Sequence, residues 1–255
     1  MIAKAILTDT TMCTGCERCV AACKQAHALA ADEPRRWKRA IDDLSATRFT
    51  TIIRRDGKSI RQQCRHCVDP ACVSACLVGA MQKTPEGPVI YDNDRCMGCR
   101  YCMVACPFGI PRYEWAAAVP YVRKCNFCDE RLADGTLPAC VEACPHKATI
   151  FGEREAMLAE AHRRIRESPG RYRDKVYGEF DVGGTSVLMI SDLSLDFLVA
   201  GGGSLDKALP DLTWAALRNV PGLALGVGGV MAGVFWITER RMRLQADARQ
   251  KEKGR

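Results

Sequence analysis

The chain has little of what most reactive proteins display. Four histidines and 7% aromatic residues are spread over 255 positions, and no aromatic or basic recognition motif of a nucleic-acid module is found. The formal charge of +7 therefore does not mark a nucleic-acid binder. No dinucleotide loop is present either: the one glycine-dense run, Gly222 to Gly233, lies in an apolar segment and lacks that spacing. A self-contained enzyme would need a flavin, pterin or nickel site, and none is legible. Met1 to Asp9 lacks the apolar h-region of an export leader, and no twin arginine precedes Cys13, so no leader is expected there.

Cysteine is what the chain has in excess. Its sixteen cysteines fall into four groups of four with none left over, each ending in Cys-(Val/Met)-X-Ala-Cys. The groups are Cys13, Cys16, Cys19, Cys23; Cys64, Cys67, Cys72, Cys76; Cys96, Cys99, Cys102, Cys106; and Cys125, Cys128, Cys140, Cys144. A disulfide framework suits shorter secreted chains, and cysteines two residues apart on a tight loop are badly placed to pair. The third group is the complete run Cys-x2-Cys-x2-Cys-x3-Cys-Pro, in which three thiolates grip one iron–sulfur cube and the fourth reaches its neighbour. The first group matches except for Lys24 in place of Pro, and Leu77 stands at that position in the second. Gly15 and Gly98 precede the second cysteine, where a missing side chain lets backbone N–H groups turn toward sulfur.

Zinc is the structural alternative, since paired Cys-x2-Cys knuckles also build zinc-stabilised interaction scaffolds. Four cysteines within eleven residues are too crowded for paired knuckles, and two such runs make that reading worse. With four cubes bound, the thiolates bring roughly −16 and the cores about +8, so the excess Lys and Arg read as counter-charge.

Along the chain, Ala3 to Thr8 reads as a strand, Phe49 to Arg54 as another ending at an Asp56-Gly57 turn, and Ala80 to Tyr91 as a hairpin. The basic run Arg35, Arg36, Lys38, Arg39 reads as a surface insertion or docking face. Ala148 to Phe151 and Gly183 to Ile190 are strand candidates. Between them, Met157, Leu158, Ala161 and Ile165 recur at helical spacing until Pro169-Gly170. A glycine-rich linker, Gly201 to Asp211, follows.

Val220 to Ile237 carries no charge over eighteen residues, and from Trp214 the apolar stretch reaches twenty-four with Arg218 alone ionised. At 1.5 Å per residue these lengths span about 27 and about 36 Å, against a hydrocarbon core near 30 Å. A membrane-spanning helix is expected, with Trp214 and Trp236 at its interfaces. Gly222, Gly226, Gly229 and Gly233 share one face, suited to a second membrane helix. Arg240, Arg241, Arg243, Arg249, Lys251, Lys253 and Arg255 outnumber the acids beyond it, which places the tail in the cytoplasm and the cysteine domain on the periplasmic side. Export bound to a partner carrying the signal is then expected.

The four runs, the wide gap in the fourth, the hairpin and the C-terminal apolar helix resemble the four-cluster ferredoxin-type electron-transfer subunits of membrane-bound respiratory oxidoreductases. Cys102-Met-Val-Ala-Cys-Pro-Phe-Gly-Ile110, Tyr121-Val-Arg-Lys-Cys-Asn-Phe-Cys128 and Val176-Tyr-Gly-Glu179 are most similar to the hydrogenase-2-type iron–sulfur subunit, with formate dehydrogenase beta subunits next. The resemblance implies an α+β fold of two pseudo-symmetric bacterial-ferredoxin-like modules plus one C-terminal transmembrane helix. The layout is a cluster domain over 1–185, an extension over 186–213, a membrane helix over 214–238 and a basic tail over 239–255. It implies four [4Fe-4S] cubes, held by Cys13, Cys16, Cys19 with Cys144; Cys125, Cys128, Cys140 with Cys23; Cys64, Cys67, Cys72 with Cys106; and Cys96, Cys99, Cys102 with Cys76. Spacing alone permits other pairings. The implied partners are a catalytic subunit, either a nickel–iron hydrogenase or a molybdopterin enzyme, and an integral quinone-reactive subunit, this chain breaking no substrate bonds itself. His66 and His146 are candidates to donate to cluster sulfur; His27 and His162 read as ordinary polar residues.

Overall fold

The computed structural model describes residues 3–31, 43–200 and 205–253, with side chains through 249. The basic run at Arg35 to Arg39 and the first part of the glycine-rich linker lie outside the described residues. Two compact units are formed, Met1–Pro210 and Asp211–Arg255.

In the first unit, β1 (Lys4–Asp9) runs into the first cysteine loop and α1 (Arg18–Ala26). The hairpin of β2 (Thr50–Arg55) and β3 (Lys58–Gln63) comes next, then the single turn α2 (Ala71–Ser74). Asp56 and Gly57 take φ values of 50° and 73°, the two left-handed residues that a two-residue type I′ turn requires. A second hairpin, β4 (Met81–Lys83) and β5 (Val89–Tyr91), precedes α3 (Tyr101–Ala105). The short pair β6 (Arg112–Tyr113) and β7 (Val122–Arg123) leads to α4 (Asp129–Ala133) and α5 (Ala139–Glu142). The unit's remaining named elements are β8 (Thr149–Glu153), α6 (Arg154–Glu167) and β9 (Val187–Ile190).

β1 is the central strand of a three-stranded sheet, antiparallel to β8 and parallel to β9. Its side chains alternate between two cores, as a strand's period of two demands. Ala5 and Leu7 pack with Leu158, Ala161 and Leu188 under α6, whereas Ile6 packs on the other side with Phe127, Cys140 and Val187. The sheet thus has a structural face and a cysteine face. Within the stretch expected as an extension over 186–213, Val187 to Ile190 form β9, and Leu195, Leu198 and Val199 are buried. The parallel return of β9 and the β6–β7 pair were not legible beforehand: two-residue strands carry no periodicity, and partner choice is set by tertiary packing.

The second unit holds α7 (Leu209–Leu217) and α8 (Val220–Lys253). The continuous helix expected from Trp214 is interrupted before Val220, because Pro221 offers no N–H to the preceding turn and is suited to a helix start. α8 runs on through the basic segment, and an Arg243–Glu239 ion pair one turn apart lies on that extension. By length and composition, residues Leu209–Arg249 contain the one helical stretch apolar enough to cross a membrane among the described residues, and none of its apolar window is buried.

Candidate metal centres

The four cysteine groups share one local design. In each, the third cysteine is the second residue of a short helix: Cys19 in α1, Cys72 in α2, Cys102 in α3 and Cys140 in α5. The fourth lies within or just beyond that helix, so one helical turn carries it away from the loop that bears the first two. α1 packs against α5, and α2 against α3. The first group therefore meets the fourth, and the second meets the third.

Three cavities follow from this packing. Cys13, Cys16, Cys19 and Cys144 line one of about 400 Å³. Cys64, Cys67, Cys72 and Cys106 line another of about 340 Å³. A third, of about 290 Å³, is lined by Cys23, Cys125, Cys128 and Cys140. Cys102 has Cys76, Cys96 and Cys99 as its electrostatic neighbours. All sixteen sulfurs are free thiols, and Cys16 is the exposed one.

Backbone N–H groups point at these sulfurs. Gly98 N–H donates to Cys96 Sγ at 3.4 Å, Phe127 N–H to Cys125 Sγ at 3.4 Å, and Ala80 N–H to Cys76 Sγ at 3.1 Å. Gly98 and Gly15 have φ of 74° and 72°, and a Cβ on Gly15 would meet Ser59 Oγ at 2.5 Å. Both observations call for glycine there.

Burial pushes the thiols up, to about 11 for Cys19 and Cys102 and about 12 for Cys72, and the neighbouring sulfurs add to it. Such a set ionises only around a cationic guest. A single ion does not fit: among the described residues no three His, Cys, Asp or Glu side chains converge to hold one, whereas tetrahedral zinc needs its sulfurs about 3.8 Å apart. A cube, which takes each thiolate on a different iron, accepts the wider spacing.

Several groups around the cavities carried no sequence signal. Arg61, Arg65 and Lys124 are buried cations, and Lys124 and Arg65 line the Cys64 cavity. Charge alone reads as surface, so nothing in their residue type marks them as interior, although Arg65 and Lys124 adjoin Cys64 and Cys125. His66 Nδ1 accepts the Val89 N–H at 2.9 Å, its ring lies 4.6 Å from that of Phe127, and its Nε2 is buried without a partner. His146 is exposed at the rim of the Cys13 cavity. His27, expected as an ordinary polar residue, instead has Nε2 3.5 Å from Cys128 Sγ, because α1 carries it over the α4 N-terminus. His162 pairs with Glu179 at 3.1 Å, away from the cysteines.

Comparison with known proteins points to iron–sulfur chemistry. The 4Fe-4S dicluster domain family matches residues 57–154. A protein of Nitratidesulfovibrio vulgaris is 40% identical over 95% of this chain and 68% of its own length. The hydrogenase-2 operon protein HybA of Escherichia coli O157:H7 is 36% identical over 76% of this chain and 71% of its own. The iron–sulfur subunit of the nitrate-inducible formate dehydrogenase of Escherichia coli K12 is 34% identical over 72% of this chain and 66% of its own. The chain belongs to the family of ferredoxin-type, [4Fe-4S]-binding electron-transfer subunits of respiratory oxidoreductases.

Proposed function

We propose that this chain carries electrons through four [4Fe-4S] cubes between a catalytic subunit, a nickel–iron hydrogenase, and a quinone-linked integral membrane subunit. Each cube, when bound, takes up and gives back one electron. The packing of α1 on α5 and α2 on α3 carries the reading, since it groups the sulfurs as two interlocked ferredoxin-like modules need. The ligand sets are Cys13, Cys16, Cys19, Cys144; Cys23, Cys125, Cys128, Cys140; Cys64, Cys67, Cys72, Cys106; and Cys76, Cys96, Cys99, Cys102. The short helices hold the sulfurs apart, and the buried Cys23, Cys125, Cys128 and Cys140 of the second set are shielded from water. Exposure of Cys16 supports the first set as the one facing the catalytic subunit. The exposed Leu77, Met97, Tyr101 and Val104 beside the last set support a docked membrane subunit there.

The similarity to HybA favours hydrogenase as the partner; a formate dehydrogenase or other molybdopterin reductase is the second reading, favoured by the formate dehydrogenase subunit. The anchor lies within 214–238, its tail over 239–255 is cytoplasmic, and the cluster domain is periplasmic. No atom lies within 4 Å of a Cβ built on Gly222, Gly226, Gly229 or Gly233, which leaves that face open to a partner helix.

Removing residues 211–255 is expected to move the protein from the membrane fraction to the soluble fraction with its iron retained, because the two units are separately compact. Mass spectrometry of the intact complex in mild detergent should recover a large hydrogenase subunit; a molybdopterin subunit instead would favour the second reading. Co-purification of neither, together with an unanchored full-length chain, would overturn the proposal.

A further inference from the structure

β3 brings two unsatisfied donors to the cysteine face. Arg61 and Gln63 are two residues apart on this strand and so project to the same side of it. Both side chains are interior, at 3% and 1% exposure. Arg61 lines the cavity of Cys13, Cys16, Cys19 and Cys144, and Gln63 lines that of Cys23, Cys125, Cys128 and Cys140. The guanidinium donates through Nη2 to Thr8 Oγ1 at 3.3 Å, and Cys140, a ligand of the second set, is its foremost electrostatic partner. Arg61 Nη1 and Gln63 Nε2 are buried with no partner at all.

A buried N–H without an acceptor is destabilising, more so when the group is charged, so two on one strand face are expected to have acceptors in the loaded protein. Among the largest causes acting on the arginine no carboxylate appears: its foremost attractive partners are cysteine sulfurs, Cys140 and Cys19 first. Sulfur of a bound cube is the acceptor each cavity offers.

We propose that Arg61 and Gln63 tune these two centres: Arg61 stands between them and raises the reduction potential of both, while Gln63 raises that of the Cys23 set alone. Adding one electron to a cube makes a negatively charged centre more negative. A fixed guanidinium favours that reduced state more than a neutral amide does. Arg61 keeps its proton throughout, so reduction takes up no proton at this residue.

The inference rests on the proposed ligand sets, and potentiometric titration followed by electron paramagnetic resonance on the purified complex tests the two separately. With wild-type protein, four resolved cubes satisfy the ligand reading; fewer would sink that reading before the tuning is addressed. Arg61→Met with full iron should lower two of the four potentials, shifting each reduction equilibrium at least tenfold, which is about 59 mV for one electron. Arg61→Lys should restore most of the shift. Gln63→Leu should lower one potential only, and that one should be among the pair moved by Arg61→Met. If Arg61→Met loses iron, the Gln63→Leu and Arg61→Lys titrations decide. Potentials unchanged in every variant that keeps its iron would overturn the tuning.

Discussion

Cys13→Ala and Cys144→Ala are expected to abolish the same cube, although the two residues stand at opposite ends of the cysteine sequence. Each variant should lose about four of about sixteen irons and the same paramagnetic signal, leaving the others. The reason is geometric: α5 lies on α1, so Cys144 enters the cavity of Cys13, Cys16 and Cys19, whereas Cys140 in the same helix faces Cys23, Cys125 and Cys128. Cys140→Ala should therefore remove a different signal from Cys144→Ala, four residues away. A purely local assignment, with Cys125, Cys128, Cys140 and Cys144 around one cube, predicts that these two variants are alike. Iron content and signal loss measured on the three variants side by side separate the alternatives.

The second large effect is on stability. Stripping iron with a chelator under reducing conditions should unfold the first unit, seen as loss of cooperative thermal unfolding and of near-ultraviolet dichroism. Cys23, Cys64 and Cys125 belong to one apolar cluster and Cys72 and Cys102 to another, so emptying the cubes would leave voids against the packed interior. The sheet packed against α6 contains no cysteine on its structural face and should be the last part to lose protection from hydrogen exchange. An iron-free protein that unfolds as cooperatively as the loaded one would contradict this.

The iron–sulfur character of the chain and most strands were legible because their signals are local. Cysteine spacing, the Asp56-Gly57 turn and the apolar face of α6 each lie within one short window of sequence. The pairing of first with fourth and second with third groups was legible only through resemblance, since the loop lengths between groups permit several arrangements. What decides it is helix packing and the β1–β8 register, Ile6 opposite Phe151, which are long-range properties. Arg61, Gln63 and His27 went unmarked for the same reason. A buried arginine in a strand of polar neighbours has the composition of a surface strand, and only the sulfurs around it explain its burial.

The account stands or falls on whether sixteen sulfurs hold iron. Iron and acid-labile sulfide should be assayed on this chain purified anaerobically and separated from its partner subunits, with zinc measured on the same sample. About sixteen irons and about sixteen sulfides, with zinc absent, are expected for four cubes. Stoichiometric zinc, or iron far below that figure in intact material, would contradict it.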